Sequence, residues 1–136
     1  MNRDRKTLIA KTKAAGVVGA GGAGFPTHVK LDAQVKTVIV NGAECEPYLT
    51  ADHRLMVEHA EDVIYGARVL AKALGVTEIY IGVELNKPDA IAALRQAAQG
   101  TQVQVVGLQV KYPQGAEKQL ISTIVGRQVP VGGLPM

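Results

Sequence analysis

The feature that narrows the fold most is the alternation of short β-branched runs with stretches of helical periodicity. Residues 36–40 (Lys-Thr-Val-Ile-Val), 77–83 and 102–110 read as buried strands. Between the first two, residues 52–74 carry Met56, Ala60, Val63, Ile64, Ala67, Leu70, Ala71 and Leu74 at helical spacing. This predicts one long amphipathic helix with Asp52 as N-cap and Gly75 as its stop. Residues 88–99 predict a second helix, with Pro88 in its first turn and Gly100 beyond its end, and residues 115–125 a last one stopped by Gly126. A polar helix-like stretch, residues 4–15, precedes them. Strands separated by helices imply an α/β fold: a mainly parallel sheet with helices on both faces. In such sheets ligands bind beyond the carboxyl ends of the strands. Asn41-Gly42 reads as a turn after the first strand. The polar loops 41–47 and 112–117, which follow the first and third strands, are therefore expected on one edge.

Ahead of the first strand lies Gly19-Ala20-Gly21-Gly22-Ala23-Gly24-Phe25-Pro26-Thr27, with four glycines in six positions. A loop this poor in Cβ atoms lets backbone approach a flat or charged partner, and its N–H groups can form an anion nest. Gly19-x-Gly21-x-x-Gly24 matches a dinucleotide-binding pattern in spacing, but that pattern expects a strand immediately before it. Here a polar helical stretch stands in that place, so spacing alone leaves open a plain surface turn.

Length and composition close off other classes. The chain has 136 residues, the size of one domain, 1–136, with one core. Its net charge of +3 comes without a basic stripe interleaved with aromatics, so nucleic-acid binding is not expected. No apolar run reaches the roughly 18 residues that span a bilayer, and there is no signal-peptide core at the N-terminus. A soluble intracellular domain is the expectation. A single cysteine, Cys45, builds neither an intrachain disulfide nor a thiolate cage, and His28, His53 and His59 form no metal-ligand spacing. His53 and His59 are expected to be solvated.

Three segments taken together carry a resemblance: Gly-x-Gly-Gly-Ala-Gly-Phe-Pro-Thr-x-x-Lys at 19–30, Asn-x-x-Glu-x-Glu-Pro at 41–47 and Tyr-x-x-Gly-x-Glu at 112–117. In this order and spacing they resemble the flavin-binding 51 kDa-type subunit of respiratory NADH dehydrogenase. Within that superfamily, residues 44–56 look closest to the C subunit of Rnf-type electron transport complexes. Cobalamin reductases of the propanediol-utilisation type share much of the pattern and are the close alternative. The resemblance covers residues 16–136.

The resemblance implies a Rossmann-like domain in which NADH passes hydride directly to FMN and electrons continue to iron–sulfur clusters. No catalytic acid or base is then required. By motif position Gly19, Gly21, Gly22, Gly24, Lys30, Asn41, Glu44, Tyr112 and Gly115 are implied to bind FMN, and Phe25, Glu46 and Glu117 to meet NADH. A lysine and backbone donors suit a phosphate, carboxylates suit ribose hydroxyls, and phenylalanine offers a flat face. Glu44 and Glu46 alternate along an extended segment and so face opposite ways; one of them can organise loop backbone instead. Ala20 and Ala116 depart from the dehydrogenase pattern, which has arginine and glutamate there, and match the Rnf and cobalamin-reductase branch. Implied partners are the other subunits of a membrane-bound complex, which would place the domain in the cytoplasm, peripheral to the inner membrane. A docking module that keeps the fold without FMN is the rival reading. Residues 129–136 are extended and linker-like, the expected look of a chain cut from something longer. Its 4Fe–4S cluster motifs are expected only in a downstream region.

Overall fold

A computed structural model describes residues 3–19 and 23–136. The elements run α1 (Arg3–Ala14), α2 (Thr27–Lys30), β1 (Thr37–Gly42), α3 (Ala51–Glu58), α4 (Ala60–Leu74), β2 (Glu78–Glu84), α5 (Pro88–Ala97), β3 (Val103–Leu108) and α6 (Glu117–Val125). The strands form one parallel sheet in the order β1-β2-β3, with Thr37 level with Glu78 and Ile79 level with Val103. Helical crossovers between sequential parallel strands are the reason for this order.

Strand alternation assigns the two faces. Val38, Ile79, Ile81, Val83 and Val103 join Met56 of α3, Ile64, Ala67 and Ala71 of α4, and Ala90, Ile91 and Leu94 of α5 in one buried cluster. On the other face α6 packs over β1 and β2. A Cβ on Gly82 would come within 2.9 Å of Leu108 and 3.0 Å of Leu120 and Ile124, so the absence of a side chain there sets the close approach of this helix. Gly42 does the same for α3, because Met56 Sδ sits 2.7 Å from where its Cβ would be. At the other end of the chain Arg5 holds α1 to the segment after α2, donating from Nε to Leu31 O at 2.9 Å and from Nη2 to Ala33 O at 2.5 Å.

Three sequence expectations need correction. Asn41 and Gly42 do not turn; they continue β1 and pair with Gly82 and Val83. The single helix expected over residues 52–74 is two, broken at His59, whose φ and ψ are −129° and 37°. The break leaves the hydrogen bonds His59 N–H to Leu55 O and Val63 N–H to His59 O in place, so apolar periodicity runs through it unmarked by glycine or proline. Asp52 is not the N-cap: Thr50 occupies that position, without a capping side-chain bond, and Asp52 lies in the first turn.

Candidate functional site

The carboxyl ends of the strands gather the loops that the motifs singled out. Asn41, near the end of β1, donates from Nδ2 to Gly115 O at 2.8 Å, while its Oδ1 accepts from Ala43 N–H at 3.1 Å. One amide thus joins loop 41–47 to loop 112–117. Gly115 itself presses on Ala43: a Cβ there would collide with the Ala43 carbonyl oxygen. The third segment is tied in by Lys30, whose Nζ lies 3.2 Å from Glu117 Oε1 and 5.6 Å from the centre of the Phe25 ring. The expected convergence on one edge of the sheet is observed.

The glycine segment is described at its ends. Gly19 N–H donates to Phe25 O at 3.0 Å and Gly24 N–H to Gly19 O at 3.2 Å, closing the loop at its base. Gly24 has φ +67°, in the left-handed region that glycine occupies without strain. Gly21 and Gly22 lie outside the described residues.

Glu44 and Glu46 differ in burial, though both line the smaller of the two concavities described below. Glu46 is exposed. Glu44 is buried, and its two carboxylate oxygens accept the backbone N–H groups of Asp52 (2.8 Å) and His53 (3.2 Å). A carboxylate from another segment therefore satisfies the open donors at the start of α3, where the helix dipole also favours negative charge. The burial of Asp52, and the Glu44 charge beside it, raise the Asp52 pKa.

His53 is not simply solvated. Its Nε2 lies 2.8 Å from Asp89 Oδ1, linking α3 to α5. Hydrogen bonds from His53 and from the Ala90 amide lower the Asp89 pKa. A carboxylate whose pKa is depressed on folding contributes stability above its unfolded pKa and loses it as pH falls through the depressed value. Asp89→Asn is accordingly expected to flatten the loss of thermal stability in acid: the parent melts above the variant near neutrality, and the two converge as pH falls below the ordinary aspartate range. Parallel melting curves down to strong acid would refute the pairing.

Two concavities flank loop 112–117. The larger, about 570 Å³, is lined by Lys30, Asn41 and Glu117 together with Ile39, Leu120 and the tail residues Leu134 and Met136. The smaller, about 300 Å³, is lined by Glu44, Cys45, Glu46, Leu49, Glu84, Val110, Lys111 and Tyr112. Phe25 is half-buried and Tyr112 exposed, and Cys45 is a free thiol of intermediate burial. These residue types fit a flavin nucleotide: a cation for phosphate, an amide and carboxylates for hydroxyls, and aromatic faces.

The motifs do not reach the end of the central strand. Glu84, the last residue of β2, forms a buried ion pair with Lys87 at 3.2 Å, and Lys87 Nζ also donates to Glu44 O at 3.1 Å. The same rule that points to the ends of β1 and β3 applies to β2, and a charged residue at the end of an apolar run is the signal that marks it. Gln114, the fully buried residue of loop 112–117, has no partner for its side-chain amide among the described residues. Among those residues, no three His, Cys, Asp or Glu side chains are grouped to hold a metal ion, and no helix is long and apolar enough to cross a membrane.

Fold and site together define a parallel α/β domain whose polar loops collect at the carboxyl edge of the sheet, the usual placement of a nucleotide site. The chain belongs to the Nuo51 FMN-binding domain family, whose model matches residues 12–136. Among curated relatives it is 54% identical over 134 residues to the C subunit of the proton-translocating ferredoxin:NAD(+) oxidoreductase complex of Clostridium ljungdahlii, covering 96% of this chain and 29% of that one. It is 57% identical over 126 residues to the C subunit of the Na(+)-translocating ferredoxin:NAD(+) oxidoreductase complex of Acetobacterium woodii, covering 89% and 28%. The chain thus spans less than a third of the length of these relatives. A solved NAD+-reducing [NiFe]-hydrogenase shares the fold, with a TM-score of 0.76 at 24% identity over 90% of this chain and 24% of the other.

Proposed function

We propose that this chain forms the FMN-binding part of an NADH-oxidising electron transfer subunit, of the kind found as the C subunit in ion-translocating ferredoxin:NAD oxidoreductase complexes. The observation that carries the reading is the linkage of three separate motif segments by Lys30–Glu117 and Asn41–Gly115 at one end of a parallel sheet. FMN, when bound, supplies the hydride acceptor and the release of electrons one at a time to iron–sulfur clusters elsewhere in the subunit. Everything else falls to residues of this chain. Gly19, Gly21, Gly22 and Gly24 offer backbone unobstructed by side chains, and Lys30 offsets phosphate charge. Asn41, Tyr112 and Gly115 define the wall of the flavin site. Glu44 acts by holding loop 41–47 against α3. Phe25, Glu46 and Glu117 meet the nicotinamide nucleotide, where direct hydride transfer needs stacking geometry and exclusion of water, with no acid or base. The partners are the remaining subunits of a membrane-bound complex, which hold the domain at the cytoplasmic face of the inner membrane.

In this reading Lys30 and Glu117 are partners only until the nucleotide competes for them. Both are about half exposed, at 46% and 56%, so the pair itself adds little stability. Glu117→Gln in the complete subunit should slow NADH-dependent flavin bleaching about ten- to a hundredfold, the cost of one charge-assisted hydrogen bond, while FMN content stays near parental. Anaerobic stopped-flow measures it. Bleaching at the parental rate, or loss of FMN, would remove Glu117 from the NADH site.

A further inference from the structure

We propose that Glu84 is a further ligand-contacting residue, its Oε1 accepting a hydrogen bond from an N–H donor on a ring bound in the smaller concavity, between residues 44–49 and 110–112. The inference rests on the FMN and NADH reading above and adds a residue that the motifs do not include.

Glu84 closes the central strand and is 1% exposed, yet it lines the cavity of about 300 Å³. Its Oε2 accepts from Lys87 at 3.2 Å. The Lys87 ammonium has three protons, and its other acceptors are Glu44 O at 3.1 Å and Asn86 Oδ1 at 3.3 Å, so it has nothing left to offer Oε1. Glu84 Oε1 consequently has no partner among the described residues. A buried carboxylate oxygen left this way is costly, and a donor brought by a ligand relieves that cost.

The cavity selects the donor. Its volume is at the bottom of the roughly 300 to 1,000 Å³ range of small-molecule sites, so it takes one ring system and not a whole dinucleotide. Pro47, Leu49, Val110 and Tyr112 make much of its wall apolar, which suits a flat ring. Lys87 already offsets the charge of Glu84, so a neutral N–H fits better than a cation. The flavin ring imide and the nicotinamide carboxamide both carry such a group.

Fluorescence titrations of this chain with FMN against 3-methyl-FMN, and with NADH against the analogue bearing a carboxylate in place of the carboxamide, separate the two sources. The parent is expected to bind one analogue about tenfold or more weakly than its natural counterpart. The paired variant Glu84→Leu/Lys87→Met, which leaves neither charge buried alone, should lose that discrimination. Melting curves show whether the variant is folded; if it is not, the comparison on the parent decides alone. A parent that discriminates in neither pair, or a folded variant that discriminates as the parent does, overturns the role of Glu84. A parent that binds neither FMN nor NADH overturns the function proposed above, and this inference with it.

Discussion

Gly115→Ala will weaken FMN binding about ten- to a hundredfold without unfolding the domain. The added methyl meets the Ala43 carbonyl oxygen, which is backbone and cannot swing aside as a flexible side chain would. Relief requires loop 112–117 to move away from loop 41–47, stretching the Asn41 bond to Gly115 O that joins them. Overpacking of this kind costs about 1 to 3 kcal/mol, and each 1.4 kcal/mol is tenfold in affinity. Fluorescence titration gives the ratio of dissociation constants, and parental affinity would mean that these two loops do not have to touch for the cofactor to bind.

The second large effect is on stability. Glu44→Ala removes the acceptor of two backbone N–H groups at the start of α3 and leaves them partly buried without it. Hydrogen bonds to a charged group are each worth about 1.5 to 3 kcal/mol, and some of that is recovered from water. A loss of about 2 to 3 kcal/mol in urea denaturation is therefore expected, at an unchanged slope with denaturant. Glu44→Gln, which keeps one oxygen acceptor, should lose less. If both variants denature at the parental midpoint, the carboxylate is not what holds the helix start.

These two residues show what the sequence can and cannot reveal. The elements themselves are legible because β-branched runs, helical periodicity and stop glycines agree with one another. Gly75 and Gly126, for example, stand at the ends of α4 and α6 with φ of +71° and +67°. The break at His59 is not legible, since the bonds on either side of it persist and no residue marks it. That loops 41–47 and 112–117 lie on one edge of the sheet follows from parallel strands alone, but their contact through Gly115 and Ala43, across the end of β2, depends on loop conformations that no periodicity encodes. The motif places Glu44 at the cofactor. Its partner in the fold is a helix beginning seven residues later, and an acceptor for main-chain donors leaves no mark in the residue types it serves. His53 looks solvated in the sequence for a related reason: Asp89, its partner, lies 36 positions away on another helix. Glu84 and Lys87 are three apart and can be paired by eye. Only the fold shows that they are buried and that one oxygen is left over.

The measurement that bears most directly on the account is titration of this chain with FMN, followed by quenching of flavin fluorescence and by the shift of its visible bands. Saturable binding to one site, weakened by Gly115→Ala and by Lys30→Ala but not by Asp89→Asn, is the predicted result. Absence of saturable quenching, both by this chain and by the complete subunit that contains it, would contradict the assignment of the converged loops as a flavin site.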